Sequence, residues 1–105
     1  MAIFIVQHQQ QDGVFTPDYT YPEKLEFLHA IFGGTVCGQQ TLIIGNRKGD
    51  RKLLAFTWAE GQYQVQELDR GCGAANVLHY VYEGQDILIG ANRETDEIAR
   101  YELTK

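Results

Sequence analysis

The sequence predicts an all-β protein made of repeated antiparallel units. The first observation is an internal repeat: Asn46-Arg47-Lys48-Gly49-Asp50 recurs as Asn92-Arg93-Glu94-Thr95-Asp96, sharing Asn-Arg-x-x-Asp at a spacing of 46 residues. The second is that each copy sits between two apolar runs. Leu42-Ile43-Ile44-Gly45 and Ile87-Leu88-Ile89-Gly90 precede the copies; Leu53-Leu54-Ala55-Phe56 and Ile98-Ala99-Arg100-Tyr101 follow them. The third is the character of these runs. They are short, rich in Ile, Val, Leu, Phe and Tyr, often alternating, and bounded by Gly, Asn and Asp, which are strand signals with turn punctuation.

Laying the second unit on the first gives the elements in order. Residues 2–7 align with 53–58 as one strand, and residues 14–19 align with 63–69 as the next. Residues 29–33 align with 76–80, with a one-residue gap expected just before the Asn-Arg motif. Residues 22–29, with Pro22 at a possible first turn, are the best helical stretch; the repeat argues for a strand at its end instead. With the four strands of a unit named a to d, the chain reads c-d-a-b, c-d-a-b, c. That is nine strands at roughly 8–12 residue spacing. The chain is one segment, 1–105, divided into unit one (about 2–52), unit two (about 53–97) and an extra terminal strand (98–104).

Four strands per period of about 40–50 residues is the mark of a β-propeller blade. The stretches Gly73-Ala74-Ala75-Asn76-Val77-Leu78 and Gly84-Gln85-Asp86-Ile87-Leu88-Ile89, with the Asn-Arg turn, resemble a blade of the FG-GAP/VCBS propeller class. The resemblance covers nearly all the chain and implies a partial propeller of about two blades. The Asp-x-Asp-x-Asp-Gly calcium loop of that class is absent, so calcium is not carried over. Propellers close with about four to eight blades. Two blades leave open strand edges, and open edges pair with something. The expected partner is a second copy of the chain or the rest of a longer propeller; the third option is a small non-propeller β fold built from the same duplicated unit. Nine strands are one more than two blades need, so one terminal strand is expected to be displaced.

Composition narrows the function classes. The 105 residues carry a formal charge of −5, with no basic run, which argues against nucleic acid. No apolar stretch approaches the ~20 residues of a membrane helix. The start carries no basic region of a signal peptide, so the expected compartment is the cytoplasm. Cys37, Cys72, His8, His29 and His79 show no metal-ligand spacing, so no metal and no cofactor is expected. Both thiols read as reduced, Cys37 in an a–b turn and Cys72 in a d–a connection on the opposite face. The chain contains no serine, which removes serine nucleophile chemistry. Gly33-Gly34 and Gly71-Cys72-Gly73 form no nucleotide-binding glycine motif.

On a blade, His29 and Asn76 begin a strands, while Asn46-Arg47 and Asn92-Arg93 end b strands. All six fall on one face. Asn46, Arg47, Asn76, Asn92 and Arg93 are therefore the candidate ligand-binding residues, and His29 the one candidate base. Guanidinium forks suit carboxylate, phosphate or sugar hydroxyls, and Asn both donates and accepts. The competing reading is structural: Asn favours turns, Arg47 and Arg93 would bond Asp50 and Asp96 across their own turns, and repeats conserve what every unit's fold needs. His79 reads as a packed residue and His8 as solvated. Phe4, Phe15, Phe27, Phe32, Phe56 and Trp58 read as filling between blades; sugar stacking by Trp58, Tyr19 and Tyr21 is the alternative. The expected function is a binding and assembly module with a polar or saccharide ligand. The alternatives are a carbohydrate-active lyase or dehydratase, an activity the resemblance to the propeller class implies, using His29 with Arg47 and Arg93, and a fragment of a larger propeller without activity of its own.

Overall fold

The computed structural model of the chain describes residues 4–6, 17–23 and 27–104. Among them lie nine strands: β1 (Phe4–Val6), β2 (Pro17–Thr20), β3 (Leu28–Val36), β4 (Gln39–Asn46), β5 (Leu53–Ala59), β6 (Gln62–Asp69), β7 (Ala74–Tyr82), β8 (Gln85–Asn92) and β9 (Glu97–Leu103). A single 3-10 turn, Arg93–Thr95, joins β8 to β9. Every pairing is antiparallel, in three sheets ordered β1-β2, β3-β4-β5-β6 and β7-β8-β9. The fold is all-β, as the apolar runs predict, and no sheet closes into a barrel. Among the described residues no helix is long and apolar enough to cross a membrane. The polar turn at residues 7–13 with His8, together with Phe15 and residues 24–26, lies outside the described residues, as do the side chains of Phe4 and Tyr19.

The repeat is written into the hydrogen-bond register. Leu28 pairs with Asn46 and Val36 with Gln39; Ala74 pairs with Asn92 and Tyr82 with Gln85. A bulge falls at the same place in both ladders, between Leu28 and Ala30 and between Ala74 and Asn76. The one-residue difference between units is not before the motif, as the alignment predicts, but after it. Gly45 opposes Leu53 and Ala91 opposes Ile98, so the second Asn-Arg turn is the shorter one. It tightens into the 3-10 turn, where Asp96 takes φ +56°.

Three hairpins turn on two residues with positive φ: Cys37-Gly38 (51° and 77°), Glu60-Gly61 (54° and 76°) and Glu83-Gly84 (51° and 76°). This is the backbone of a type I′ turn, whose twist matches that of the strands it joins. Glycine supplies the second positive φ at no steric cost.

The four-stranded sheet is covered on both faces. On one face Ala30, Val36, Ile43, Leu53 and Ala55 form a buried cluster with Cys72, Ala74 and Leu88, joined by Phe32, Val77, Tyr101 and Leu103. On the other, Ile44, Leu54 and Phe56 are buried with Tyr21, whose ring meets Phe56 edge-on at 5.4 Å. The sheets approach closely at Gly45, where a Cβ would sit 3.1 Å from that of Ala74. His79 is packed, as the sequence predicts: its Nε2 lies 2.7 Å from Asp86 Oδ2 and its ring 5.2 Å from that of Phe32. Phe27 departs from its predicted place as filling. It precedes β3, is exposed, and has φ +54°.

Candidate functional site

The ends of β4 and β8 and the starts of β3 and β7 lie together at one end of the two larger sheets. Arg47 N donates to Phe27 O (2.9 Å) and Arg93 N to Gly73 O (3.2 Å), so each Asn-Arg turn is pinned to the residue that leads into its neighbouring strand. A bond between sheets ties the two units together: His29 Nδ1 donates to the carbonyl of Ala75 at 2.7 Å. A carbonyl only accepts, so this contact places a proton on Nδ1 and leaves Nε2 of the neutral ring as the acceptor.

Both asparagines of the repeat are turned into the fold. Asn46 is buried; its Oδ1 accepts from Lys52 N at 2.9 Å and its Nδ2 donates to Lys48 O. The amide thereby holds the turn it belongs to. Asn92, also buried, donates from Nδ2 to Tyr101 Oη at 2.8 Å, and Tyr101 donates to Asp69 Oδ2 at 2.6 Å. Burial and the bond to Asp69 push the Tyr101 phenol well up from its ordinary value. This chain spans the two sheets, β6 to β9 to β8. Asn76, by contrast, is exposed, with its Oδ1 accepting from Val77 N.

The guanidiniums do not bridge to their own aspartates as the sequence predicts. Asp50 instead pairs with Arg70 at 3.6 Å, and Arg93 lies 3.5 Å from Glu94. Arg47 stacks on Phe27, its guanidinium carbon 4.9 Å from the ring centroid. Lys48 Nζ stands 5.5 Å from the same centroid, and the His29 ring meets Phe27 edge-on at 5.6 Å. The sequence-predicted residues brought together are thus His29 and Arg47. Phe27 and Lys48 join them unpredicted; Lys48 sat inside the motif, while nothing local marked Phe27 as exposed. The cluster sets two cations and an imidazole within 6 Å of one aromatic ring.

Concave surface lies elsewhere as well. A cleft of about 690 Å³ opens between β5–β6 and β9, with Thr57, Gln64, Gln66, Arg100 and Glu102 on its walls. A shallower hollow of about 340 Å³ beside Ala75, Arg93 and Ile98 lies on the outer side of β8 and β9. Among the described residues no three His, Cys, Asp or Glu side chains stand where they would hold a metal ion. Trp58, half-buried, meets Tyr63 edge-on with ring centroids 4.9 Å apart, and Tyr21 is buried against Phe56. Comparison with protein-family models, curated proteins and solved structures finds no match to this chain.

Proposed function

We propose that the chain is a binding and assembly module of the β-propeller kind, completed by association with further copies. Its ligand is a small carboxylate- or phosphate-bearing molecule, with sugar acids the favoured class. The observation that carries the ligand reading is the grouping of Arg47, Lys48 and His29 about Phe27. In a chain of net charge −5, this is a local concentration of cationic and imidazole groups on the Asn-Arg end. Arg47, already held over the ring with its Nε buried, has less freedom to lose on binding a ligand. An NMR titration with galacturonate, inorganic phosphate and neutral galactose tests it. Amides of residues 27–29 and 46–48 shift with the anions and not with galactose, and Arg47→Ala removes the response. Unmoved amides with both anions would reject the ligand reading. Light scattering tests assembly; a mass near 12 kDa at every concentration would reject that.

A second reading, a lyase or dehydratase with His29 as base, rests on the exposed Nε2 that the Ala75 carbonyl leaves as proton acceptor. Turnover of a uronate-containing oligosaccharide that His29→Ala abolishes would favour it. Turnover that survives this change would end it.

A further inference from the structure

The repeat register allows the exposed apolar residues on the outer face of the three-stranded sheet to be compared with their counterparts in the four-stranded one. Leu78, Tyr80 and Tyr82 occupy the places of Phe32, Gly34 and Val36. Ile98, opposite Ala91, occupies the place of Leu53, opposite Gly45. Leu53 is 0% exposed in the core between the sheets, while Ile98 is 80% exposed. Val36 is 7% exposed, and Tyr82 58%. The outer face of β7–β9 therefore carries the apolar side chains that, one repeat earlier, bury themselves against another sheet. The face it would need is also unfilled in part. Ile31 on β3 is 66% exposed, whereas its counterpart Val77 on β7 packs into the core.

The edges match in the same way. Among the described residues β9 pairs only with β8, over seven positions, and its other edge borders the cleft facing β6. That cleft is where a fourth strand would lie. The two-stranded sheet has the opposite deficit: among the described residues β2 pairs only with β1, through three residue pairs with a register slip between Ile5 and Val6. Charge agrees with this pairing. The first Asn-Arg turn carries Arg47, Lys48 and Arg51 against Asp50; the second carries Glu94, Asp96 and Glu97 against Arg93. Head-to-tail stacking sets each basic turn beside an acidic one.

We infer that copies associate by strand exchange: β9 of one copy pairs with β2 of the next in place of that copy's β1, and the face bearing Leu78, Tyr80, Tyr82 and Ile98 covers Ile31. The inference rests on the assembly reading above and adds which strand is displaced. It makes the contact heterologous, so copies must close into a ring or extend as a filament.

Hydrogen exchange on the full chain tests it, comparing an assembled sample with the Leu78→Glu/Ile98→Glu variant as the single-copy reference. On assembly the amides of 97–103 exchange about tenfold or more slowly, while those of 4–6 lose protection. Deleting residues 1–6 leaves the assembled mass unchanged. An assembled mass with 4–6 protected and 97–103 unchanged overturns strand exchange alone, as does loss of assembly on that deletion with the β-sheet spectrum intact. Protection of 97–103 that is equal in the single-copy variant assigns the fourth strand to the same chain and also overturns it. A single-copy mass at every concentration overturns assembly and exchange together.

Discussion

His29 donates its Nδ1 proton to the carbonyl of Ala75 at 2.7 Å, and the two residues hold the same place in successive repeats, 46 positions apart. The first unit thus grips its own counterpart. The contact bridges the two larger sheets, as the Tyr101–Asp69 and Cys37–Leu103 bonds also do, and helps set one against the other. His29→Ala removes an exposed bond, and urea unfolding should show a loss of about 0.5–1.5 kcal/mol. Far-UV circular dichroism should be unchanged, because no ladder bond is involved.

The Asn92–Tyr101–Asp69 chain is the more costly polar link. Asn92 Oδ1 is buried with no hydrogen-bond partner among the described residues, so its amide is held by Tyr101 through Nδ2. Tyr101→Phe strips that partner and also leaves Asp69 Oδ2 without the phenol. The expected loss is about 1–3 kcal/mol in denaturant unfolding. The pH dependence has a definite sign. A phenol whose folded pKa is raised contributes stability that is present below the ordinary value of about 10 and is lost as pH rises beyond it. Wild-type stability should fall above pH 10, and Tyr101→Phe should flatten that fall.

The contrast between these two links shows what the sequence carried. The all-β character and the positions of many strands were legible, because apolar periodicity and turn residues are local signals. Leu53–Ala59 and Gln62–Asp69 stand close to where alternation placed them. The destination of each side chain was not local. Asn46 and Asn92 are spelled alike, yet one closes its own turn and the other reaches a tyrosine on the next strand. The exposure of Phe27 depends on where its positive φ points the chain. Arg47 stacks on that ring instead of reaching Asp50, because a nearby aromatic face competed with the short route across the turn.

Two neighbouring glycines separate backbone strain from crowding. Gly71 and Gly73 both have positive φ, +77° and +59°. A Cβ at Gly71 meets nothing within 4 Å, whereas one at Gly73 overlaps Cβ and Cγ of Glu94. Gly71→Ala should cost only the left-handed conformation, about 1–2 kcal/mol. Gly73→Ala must in addition move the second Asn-Arg turn, since a Cβ cannot swing aside as the end of a side chain does. It should cost at least about 1 kcal/mol more, read as a lower denaturation midpoint at equal m-value.

Acid titration reads the contact between β7 and β8. The bond from His79, followed by one from the Cys37 backbone, holds the Asp86 carboxyl below the usual carboxylate range. A depressed carboxylate contributes stability that is present above about pH 4 and lost as pH falls through its folded value. The wild type should lose stability steadily below pH 4. Asp86→Asn should be less stable than wild type at pH 7 and show a flatter profile below pH 4, measured by thermal unfolding.

Neither cysteine is in a disulfide, and their surroundings set them apart. Cys37 sits half-buried in the β3–β4 turn, its Sγ donating to Leu103 O at 3.3 Å. Cys72 is 1% exposed, between β6 and β7. Burial, with Asp69 nearby, pushes its thiol up, so it holds little of the reactive thiolate and little of its surface is open to reagent. A chromogenic disulfide reagent at pH 8 should therefore label the native protein in two phases. The fast one should vanish in Cys37→Ala, and the slow one should track opening of the core, merging with the fast phase in denaturant. Equal rates in the native state would show that the seam between the two sheets opens freely.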